Sequence, residues 1–203
     1  MREVLQTYDQ YKDSGIEWIG EIPKHWEVKR LKDLAEIQGG RDSKDVELEE
    51  GKYPIYGSGG IFGRASKCLH SKPSVLLGRK GTIDKPLFVT EPFWSVDTMF
   101  YTDIKKNVEP KFFYYQCLTI QFGLYLYGSA VPSMSSSVLK RLLLPVPPFL
   151  TQEAIAHYLD TKTAPNRSNY PNHKHPNRKP QRTPQNPDQR CCHRQNQGNL
   201  THE

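Results

Sequence analysis

Short apolar runs separated by glycine-rich turns occupy the middle of the chain, and this pattern is typical of β structure. Between residues 52 and 104, the runs 75–77 (VLL) and 86–89 (PLFV) alternate with the turns 57–60 (GSGG) and 78–82 (GRKGT). Runs of this length, rich in branched and aromatic side chains and bounded by glycine, favour strands over helices. The pattern therefore predicts several short strands joined by tight turns.

The second half of the chain changes to the spacing of helices. Apolar side chains recur every three or four residues across residues 109–126, and Pro110 stands where it suits a first helical turn. A further helix is expected to begin with Thr151 as its N-cap. Between the two helices, residues 128–137 predict a loop and residues 139–144 predict a last strand. Strands followed by helices, without regular alternation, predict a mixed α/β (α+β) fold.

The opening of the chain interleaves aromatic and charged residues. Tyr8, Trp18 and Trp26 lie among charged side chains, and glycine and proline interrupt residues 8–32. This composition predicts an extended arm with turns that contacts the domain through its aromatic rings. Residues 28–34 have apolar side chains at every third position, and this spacing fits either the end of a strand or a short helix.

Charge and apolar content divide the chain after Ala164. The 203 residues have a formal net charge of +6, but residues 165–203 hold seven Lys and Arg against two acidic residues, which leaves +1 for the rest. The same segment contains six prolines and only four apolar residues, so it cannot build a core. We therefore expect a domain over residues 1–150, the start of a helix over 151–164, and a disordered basic tail.

Signals of catalysis and of membrane insertion are absent from the sequence. No apolar run approaches the roughly 20 residues that span a bilayer, there is no signal-peptide pattern, and the cysteines form no disulfide framework. The glycine-rich turns lack the spacing of nucleotide-binding loops, and no Ser/His/Asp, Cys/His or zinc-binding arrangement is present. We expect a soluble, cytoplasmic protein with no catalytic residues, no metal and no cofactor of its own.

Loops at the strand ends carry side chains that suit a nucleic-acid surface. Arginine contacts guanine edges through two hydrogen bonds, lysine neutralises phosphate, and serine hydroxyls bond to phosphate oxygens. For each basic residue taken alone, a solvated surface charge is an equally good interpretation, and the serine loop is equally compatible with a plain surface loop. The candidate DNA-binding residues are Tyr56, Ser58, Arg64, Arg79, Lys80, Thr82, Ser129, Ser133 and Ser135.

Several stretches together form a recognisable pattern. They are residues 11–23 (YKDSGIEWIGEIP), 56–60 (YGSGG), 78–83 (GRKGTI), 94–98 (WSVDT) and 145–148 (PVPP), with Gln152, Ile155, Ala156, Leu159 and Asp160 after them. The pattern resembles one target recognition domain of the specificity (S) subunit of type I restriction–modification enzymes, and the likeness covers residues 8–164. Leu150 and Thr151 depart from it, because the family often has acidic residues before the glutamine. The family's long helical spacer and second recognition domain are missing.

The resemblance implies a DNA-recognition module and not an enzyme. In that family each target recognition domain reads one half of a split site in double-stranded DNA, and the helical spacer docks the modification (methyltransferase) subunits. Methylation and ATP-driven cleavage belong to the partner chains, so the restriction subunit is reached through the modification subunits. A chain with one such domain would need to pair with a second copy through its helix. The alternative is an interaction protein that caps or inhibits a restriction complex and does not bind DNA.

The codons of the tail suggest a shifted reading frame. Removing one base from the codon of Pro165 allows the codons that follow to encode Gln-Ile-Asp-Arg, and then a long amphipathic segment with apolar residues at coiled-coil spacing. The shifted frame also allows a stop at the codon of Leu200. We therefore predict a single-nucleotide frameshift after Ala164. The ancestral product would be a half-length specificity subunit with one recognition domain, and the present chain a truncated form that has lost its assembly helix. The other interpretation is a genuine basic tail that binds DNA through its charge.

Overall fold

Short strands dominate the first two thirds of the structure, as their pattern predicts, and most of the helices follow them. The computed structural model describes residues 8–127 and 131–167, the last four of these by their backbone alone. The strands are β1 (Tyr11–Asp13), β2 (Glu21–Pro23), β3 (Glu27–Arg30), β4 (Ala35–Gly39), β5 (Tyr53–Gly57), β6 (Gly60–Ala65), β7 (Ser74–Gly78), β8 (Leu87–Val89), β9 (Trp94–Ser95), β10 (Met99–Ile104) and β11 (Leu143–Val146). The helices are α1 (Leu31–Leu34), α2 (Pro110–Thr119), α3 (Ser136–Arg141) and α4 (Phe149–Arg167), with a 3-10 turn at Phe122–Tyr125. The expected mixed α/β fold is confirmed.

Strand β7 is covered on both faces, and the core is organised around it. All five of its residues are buried, and it lies inside an antiparallel sheet of order β4-β10-β7-β8. Because side chains alternate along a strand, Val75 faces one way and Leu76 the other. Val75 packs in the main core with Phe113 of α2, whereas Leu76 packs with Phe93 in a second cluster.

A second sheet, of order β6-β5-β9, contains the glycine-rich hairpin. Strand β5 pairs antiparallel with β6 and parallel with β9. Ile55 of β5 is fully buried and packs with Val46 and Ala65 in a third, smaller cluster. This packing fixes the base of the hairpin, whereas Gly59, at the turn between β5 and β6, is exposed.

The aromatic arm lies against the domain, as predicted. Its strands β1 and β2 pair antiparallel, and the rings of Trp18 and Tyr125 meet edge to face with centroids 6.1 Å apart. Residues 28–34, for which a strand end and a short helix were both open, contain both, because β3 ends at Arg30 and α1 begins at Leu31. Strand β3 then pairs with β11, which joins the arm to the last strand.

Helix α2 is shorter than its apolar pattern predicts. It ends at Thr119, because the backbone of Ile120 is already extended, with φ −66° and ψ 126°. The predicted helical face continued to Leu124, but that side chain is 64% exposed and belongs to the 3-10 turn. The apolar spacing therefore identified the helix but placed its end several residues too late.

The prediction of a last strand over residues 139–144 is wrong for its first half, because helix α3 occupies residues 139–141. The Ser135 hydroxyl accepts a hydrogen bond from the Val138 N–H at 3.3 Å, and this cap starts the helix. The helix then buries Leu139 completely in the main core. Strand β11 begins only at Leu143, so the run of leucines serves first a helix and then a strand.

Helix α4 begins two residues earlier than predicted and ends three residues later. The Pro148 carbonyl accepts from the N–H groups of Thr151 and Gln152, at 2.9 and 3.1 Å, so the first turn already includes Phe149. The helix continues to Arg167, past the boundary predicted after residue 164. The rest of the predicted tail lies outside the described residues. None of the described helices is both long and apolar enough to cross a membrane.

Candidate nucleic-acid interface

The basic turn, residues 79–82, follows the buried strand β7 and is fixed by backbone hydrogen bonds on two sides. The N–H groups of its first two residues both donate to the Thr98 carbonyl, at 2.9 and 3.1 Å. On the other side, the Gly81 N–H donates to the Pro132 carbonyl at 3.1 Å. The turn is therefore tied by its backbone to both neighbouring segments. Because three of its N–H groups are already used, we expect a ligand to be bound mainly by its side chains.

Glycines allow the basic turn to close and bring the hairpin against it. Gly81 has φ +83°, a conformation that residues with a side chain rarely adopt. A Cβ on Gly78 would lie 2.3 Å from the Thr82 carbonyl oxygen, so the chain can double back here only without one. A Cβ on Gly81 would lie 3.1 Å from the Ser58 hydroxyl oxygen. The tip of the β5–β6 hairpin therefore lies against the basic turn.

The two cations of the basic turn both face solvent. Arg79 is held by one of its nitrogens, Nη1, which donates to the Asp97 carbonyl at 3.3 Å, and its guanidinium carbon lies 5.8 Å from the centre of the Phe100 ring. A guanidinium has five N–H donors in a fixed fork, so donors remain for a ligand. Lys80 is exposed beside it, and Thr82 is half-buried. The turn presents two exposed positive charges, and the contacts above orient the one on Arg79.

One serine of the predicted loop meets the basic turn. Ser133 forms an isolated antiparallel bridge with Lys80, and its hydroxyl donates to the Val131 carbonyl at 3.2 Å. Ser135 is used differently, as the N-cap of α3 described above. Ser129 lies outside the described residues. The structure therefore brings Ser58, Ser133 and the basic turn together, although they come from three separate parts of the chain.

Two predicted residues have other partners. The Arg64 guanidinium donates to the carbonyl oxygens of residues 51–52, through Nε and Nη2, at the base of the hairpin and away from its tip. Tyr56 is half-buried, with its ring edge to face against Phe93 at 5.9 Å. Burial, and after it the charge and hydrogen bond of Glu91, raise the pKa of the Tyr56 phenol. Both residues support the fold of the hairpin.

Arg41 lies at the same end of the sheet, although the sequence prediction did not include it. The Gly40 N–H donates to the Met99 carbonyl at 3.0 Å, while Met99 pairs with Gly78 on its other side. Arg41 and the basic turn therefore flank the first residue of β10, one on each side, and the Arg41 side chain is exposed. A glycine directly before an arginine occurs here and at the start of the basic turn, but also at Gly63-Arg64, so this dipeptide alone does not identify the site.

The titratable groups inside the domain belong to the core. Burial raises the pKa of the Cys117 thiol and lowers the pKa of the His70 imidazole. The His70 ring packs against Phe93 and Tyr101, with centroids 5.7 and 5.2 Å away. Within residues 8–127 and 131–167, no three His, Cys, Asp or Glu side chains are grouped so that they could hold a metal ion.

A small mixed α/β domain with a fixed basic turn at its strand ends has the features of a recognition module. Residues 23–169 match the family described as the type I restriction modification DNA specificity domain. Because this match covers well over half of the 203 residues, the chain belongs to that family. The resemblance found in the sequence is thereby confirmed.

The chain is similar to individual specificity subunits over part of their length. It is 28% identical over 175 residues to the type I restriction enzyme MjaIX specificity subunit of Methanocaldococcus jannaschii, which covers 74% of this chain and 40% of the relative. The crystal structure of the type I restriction–modification S subunit from M. genitalium aligns with a TM-score of 0.62 at 20% identity, over 71% of this chain and 40% of that one. The HsdS subunit from Thermoanaerobacter tengcongensis aligns with a TM-score of 0.59 at 17% identity, over 72% and 39%. The chain thus shares their fold and spans about two fifths of their length.

Proposed function

We propose that this chain is the DNA-recognition subunit, or one half of such a subunit, of a type I restriction–modification system. Its family is a DNA specificity domain. The structural observation that supports the proposal is the grouping of Ser58, Arg79, Lys80 and Ser133 at one end of the domain. In this role the protein acts on double-stranded DNA in the cytoplasm and contributes recognition, while the chemistry is done by other chains.

The proposed role requires partner subunits. The chain reads one half of a bipartite site, and a second recognition domain, from another copy paired through α4, reads the other half. The modification subunits bind to this assembly, and the restriction subunit joins through them. Helix α4 can serve as a rigid support for such contacts. The Tyr115 hydroxyl of α2 donates to the Asp160 carboxylate at 2.6 Å, and this hydrogen bond fixes the helix on the domain.

The side chains of the interface have different roles in recognition. Lys80 neutralises a backbone phosphate, and the serine hydroxyls donate to phosphate oxygens, so that these contacts set the position of the domain on the duplex. The remaining donors of Arg79 can form two parallel hydrogen bonds to a guanine edge in the major groove. Arg41 adds a third positive charge at the same sheet end. Because residues 1–164 have a net charge of only +1, the positive field at this end comes from arrangement and not from an excess of charge.

The double substitution Arg79→Ala and Lys80→Ala tests this interface. We expect at least about a tenfold loss of affinity for a duplex selected from a random library by the full chain. The dependence of the logarithm of affinity on the logarithm of salt concentration should also become shallower by about 1 to 2, because one or two phosphate contacts are lost. Fluorescence anisotropy with labelled duplex at several salt concentrations measures both quantities.

A matched control removes the same charge elsewhere. Lys105 and Lys106 follow the last residue of β10, about 20 Å along the strand from its first residue, and both are exposed. Their double substitution to alanine should leave the affinity within about twofold. If both double variants lose affinity equally, the contribution is one of net charge, and the basic turn is not the interface.

The alternative function, an interaction protein that caps or inhibits a restriction complex, has no support in the comparisons. The same titration separates the two functions. A chain that only binds protein would show no salt-dependent affinity for any duplex, with or without the substitutions.

A further inference from the structure

Phe62 is an exposed aromatic residue that the fold places by a β-bulge. Along the β5–β6 hairpin, Ile55 pairs with Gly63, but the next residue of β5, Tyr56, pairs with Ile61. Phe62 is therefore the extra residue, without a partner across the ladder, and its side chain is 51% exposed. A bulge bends a strand and turns a side chain out of the regular alternation, and bulges are frequent beside functional sites.

The ring of Phe62 packs against Gly57. A Cβ on Gly57 would lie 3.2 and 3.3 Å from two carbons of one edge of the ring, Cε1 and Cδ1, and 3.6 Å from a methyl group of Val96. The missing side chain of Gly57 thus leaves the space that the ring edge fills. The ring is held along the surface of the hairpin and does not project from it as a free wedge.

The position of the Phe62 ring at Gly57 is next to the proposed DNA interface. Ser58, the residue after Gly57, is the one whose hydroxyl approaches the basic turn at Gly81. The glycine hairpin therefore presents an apolar ring at Gly57 and, one residue further on, a hydroxyl beside Gly81 of the basic turn. Covering a half-exposed phenyl ring with an apolar group is favourable, and the apolar group that base edges offer in the major groove is the C5-methyl of thymine.

We infer that Phe62 is a specificity residue that recognises a thymine in the half-site through its methyl group. This inference rests on the proposed DNA-binding function. The major groove admits a two-stranded β-ribbon, and the β5–β6 hairpin of the β6-β5-β9 sheet carries glycines at its tip. Because one edge of the ring already lies on Gly57, contact with a methyl group at the groove surface fits this geometry better than insertion between base pairs.

The test begins with the duplexes that the full chain selects from a random library. The sequences selected by wild type, Phe62→Ala and Leu118→Ala are compared. Leu118 serves as the control because it is also about half-exposed (47%) but lies on α2. We expect wild type and the control to select the same sequence, and Phe62→Ala to lose the preference for thymine at one position. The salt dependence of Phe62→Ala should equal that of wild type, because no phosphate contact is removed.

A second measurement uses wild-type protein and changes only the DNA. Deoxyuridine in place of the selected thymine removes its methyl group, and we expect about a four- to tenfold loss of affinity for wild type. Phe62→Ala should bind both duplexes equally, so the two changes should not add. Phe62→Leu, which keeps an apolar side chain, should recover part of the preference.

The outcomes separate the inference from the function on which it rests. If wild type binds DNA in a salt-dependent manner but loses no affinity with deoxyuridine at any selected thymine, the inference about Phe62 is wrong and the proposed function stands. The same conclusion follows if Phe62→Ala selects the wild-type sequence. If wild type binds no duplex, both fail together.

Discussion

At the scale of single residues, two hydroxyl groups complete the central sheet where its backbone ladder stops. Strands β7 and β10 pair in regular register only at their turn-proximal ends. Farther along, the Thr102 hydroxyl accepts from the Val75 N–H at 2.9 Å and donates to its carbonyl at 3.0 Å. The Ser74 hydroxyl does the same for the Thr102 N–H and carbonyl, at 3.0 and 2.8 Å. Both side chains are fully buried, so no water can replace them.

Thr102→Val is expected to destabilise the protein although it preserves shape. The substitution leaves the Val75 N–H and carbonyl without their partner in a dry core, which costs about 2 to 4 kcal/mol. Thr102→Ser keeps the hydroxyl and removes only a methyl group, so it should cost about 1 kcal/mol. Urea unfolding followed by circular dichroism gives both free energies. Equal losses would mean that packing, and not the hydrogen bonds, matters at this position.

At the scale of elements, a glutamine side chain fastens the start of α4 to the start of α2. The Gln152 amide oxygen accepts from the Glu109 N–H at 3.0 Å, and its amide nitrogen donates to the Pro147 carbonyl at 3.0 Å. The side chain is only 2% exposed. It thus satisfies one backbone group before each helix, which explains why an amide, with a donor and an acceptor, stands at this place.

Gln152→Ala should loosen α4 before it unfolds the domain. Loss of both hydrogen bonds leaves the buried Pro147 carbonyl and the partly buried Glu109 N–H unpaired, and we expect the first turns of α4 to exchange their amide hydrogens about tenfold faster or more. The neighbouring Glu153 is exposed, and Glu153→Ala should leave exchange unchanged. Hydrogen exchange read by mass spectrometry resolves α4 from the sheets. A uniform increase across the whole domain would contradict a local role for Gln152.

The elements also show how far local sequence patterns extend. The strands of residues 52–104 and both long helices are predictable, because the spacing of apolar residues and the positions of glycine turns determine local structure. The run around Leu139 is not, since the same leucines suit a helix or a strand, and the Ser135 cap together with burial against the core decides between them. The meeting of Ser133 with Lys80 is likewise invisible in the sequence, because it depends on a bridge between distant segments.

At the scale of the whole molecule, one recognition domain is present, and the part of the chain that aligns with the relatives covers about two fifths of their length. The family match extends to residue 169, and α4 continues to Arg167, so both pass the point where the composition changes. The end of α4 is where a longer helical spacer would continue. The residues after the helix, with five prolines among residues 168–203, have no such composition.

We therefore expect the nucleotides of codons 165–199 to encode an amphipathic helix in the frame reached by omitting one base. The observed residues largely fix the second-frame bases, so a coherent run of Ile and Leu at coiled-coil spacing would arise rarely from an unrelated tail. An independent read of the gene across codons 160–203 tests this directly. Codons that cannot encode the helix would make the basic tail genuine, and its seven cations should then add to DNA affinity in a strongly salt-dependent way. If the codons do encode the helix, we expect a chain with the restored frame to pair through it. Sedimentation of the two forms would then show a change in mass.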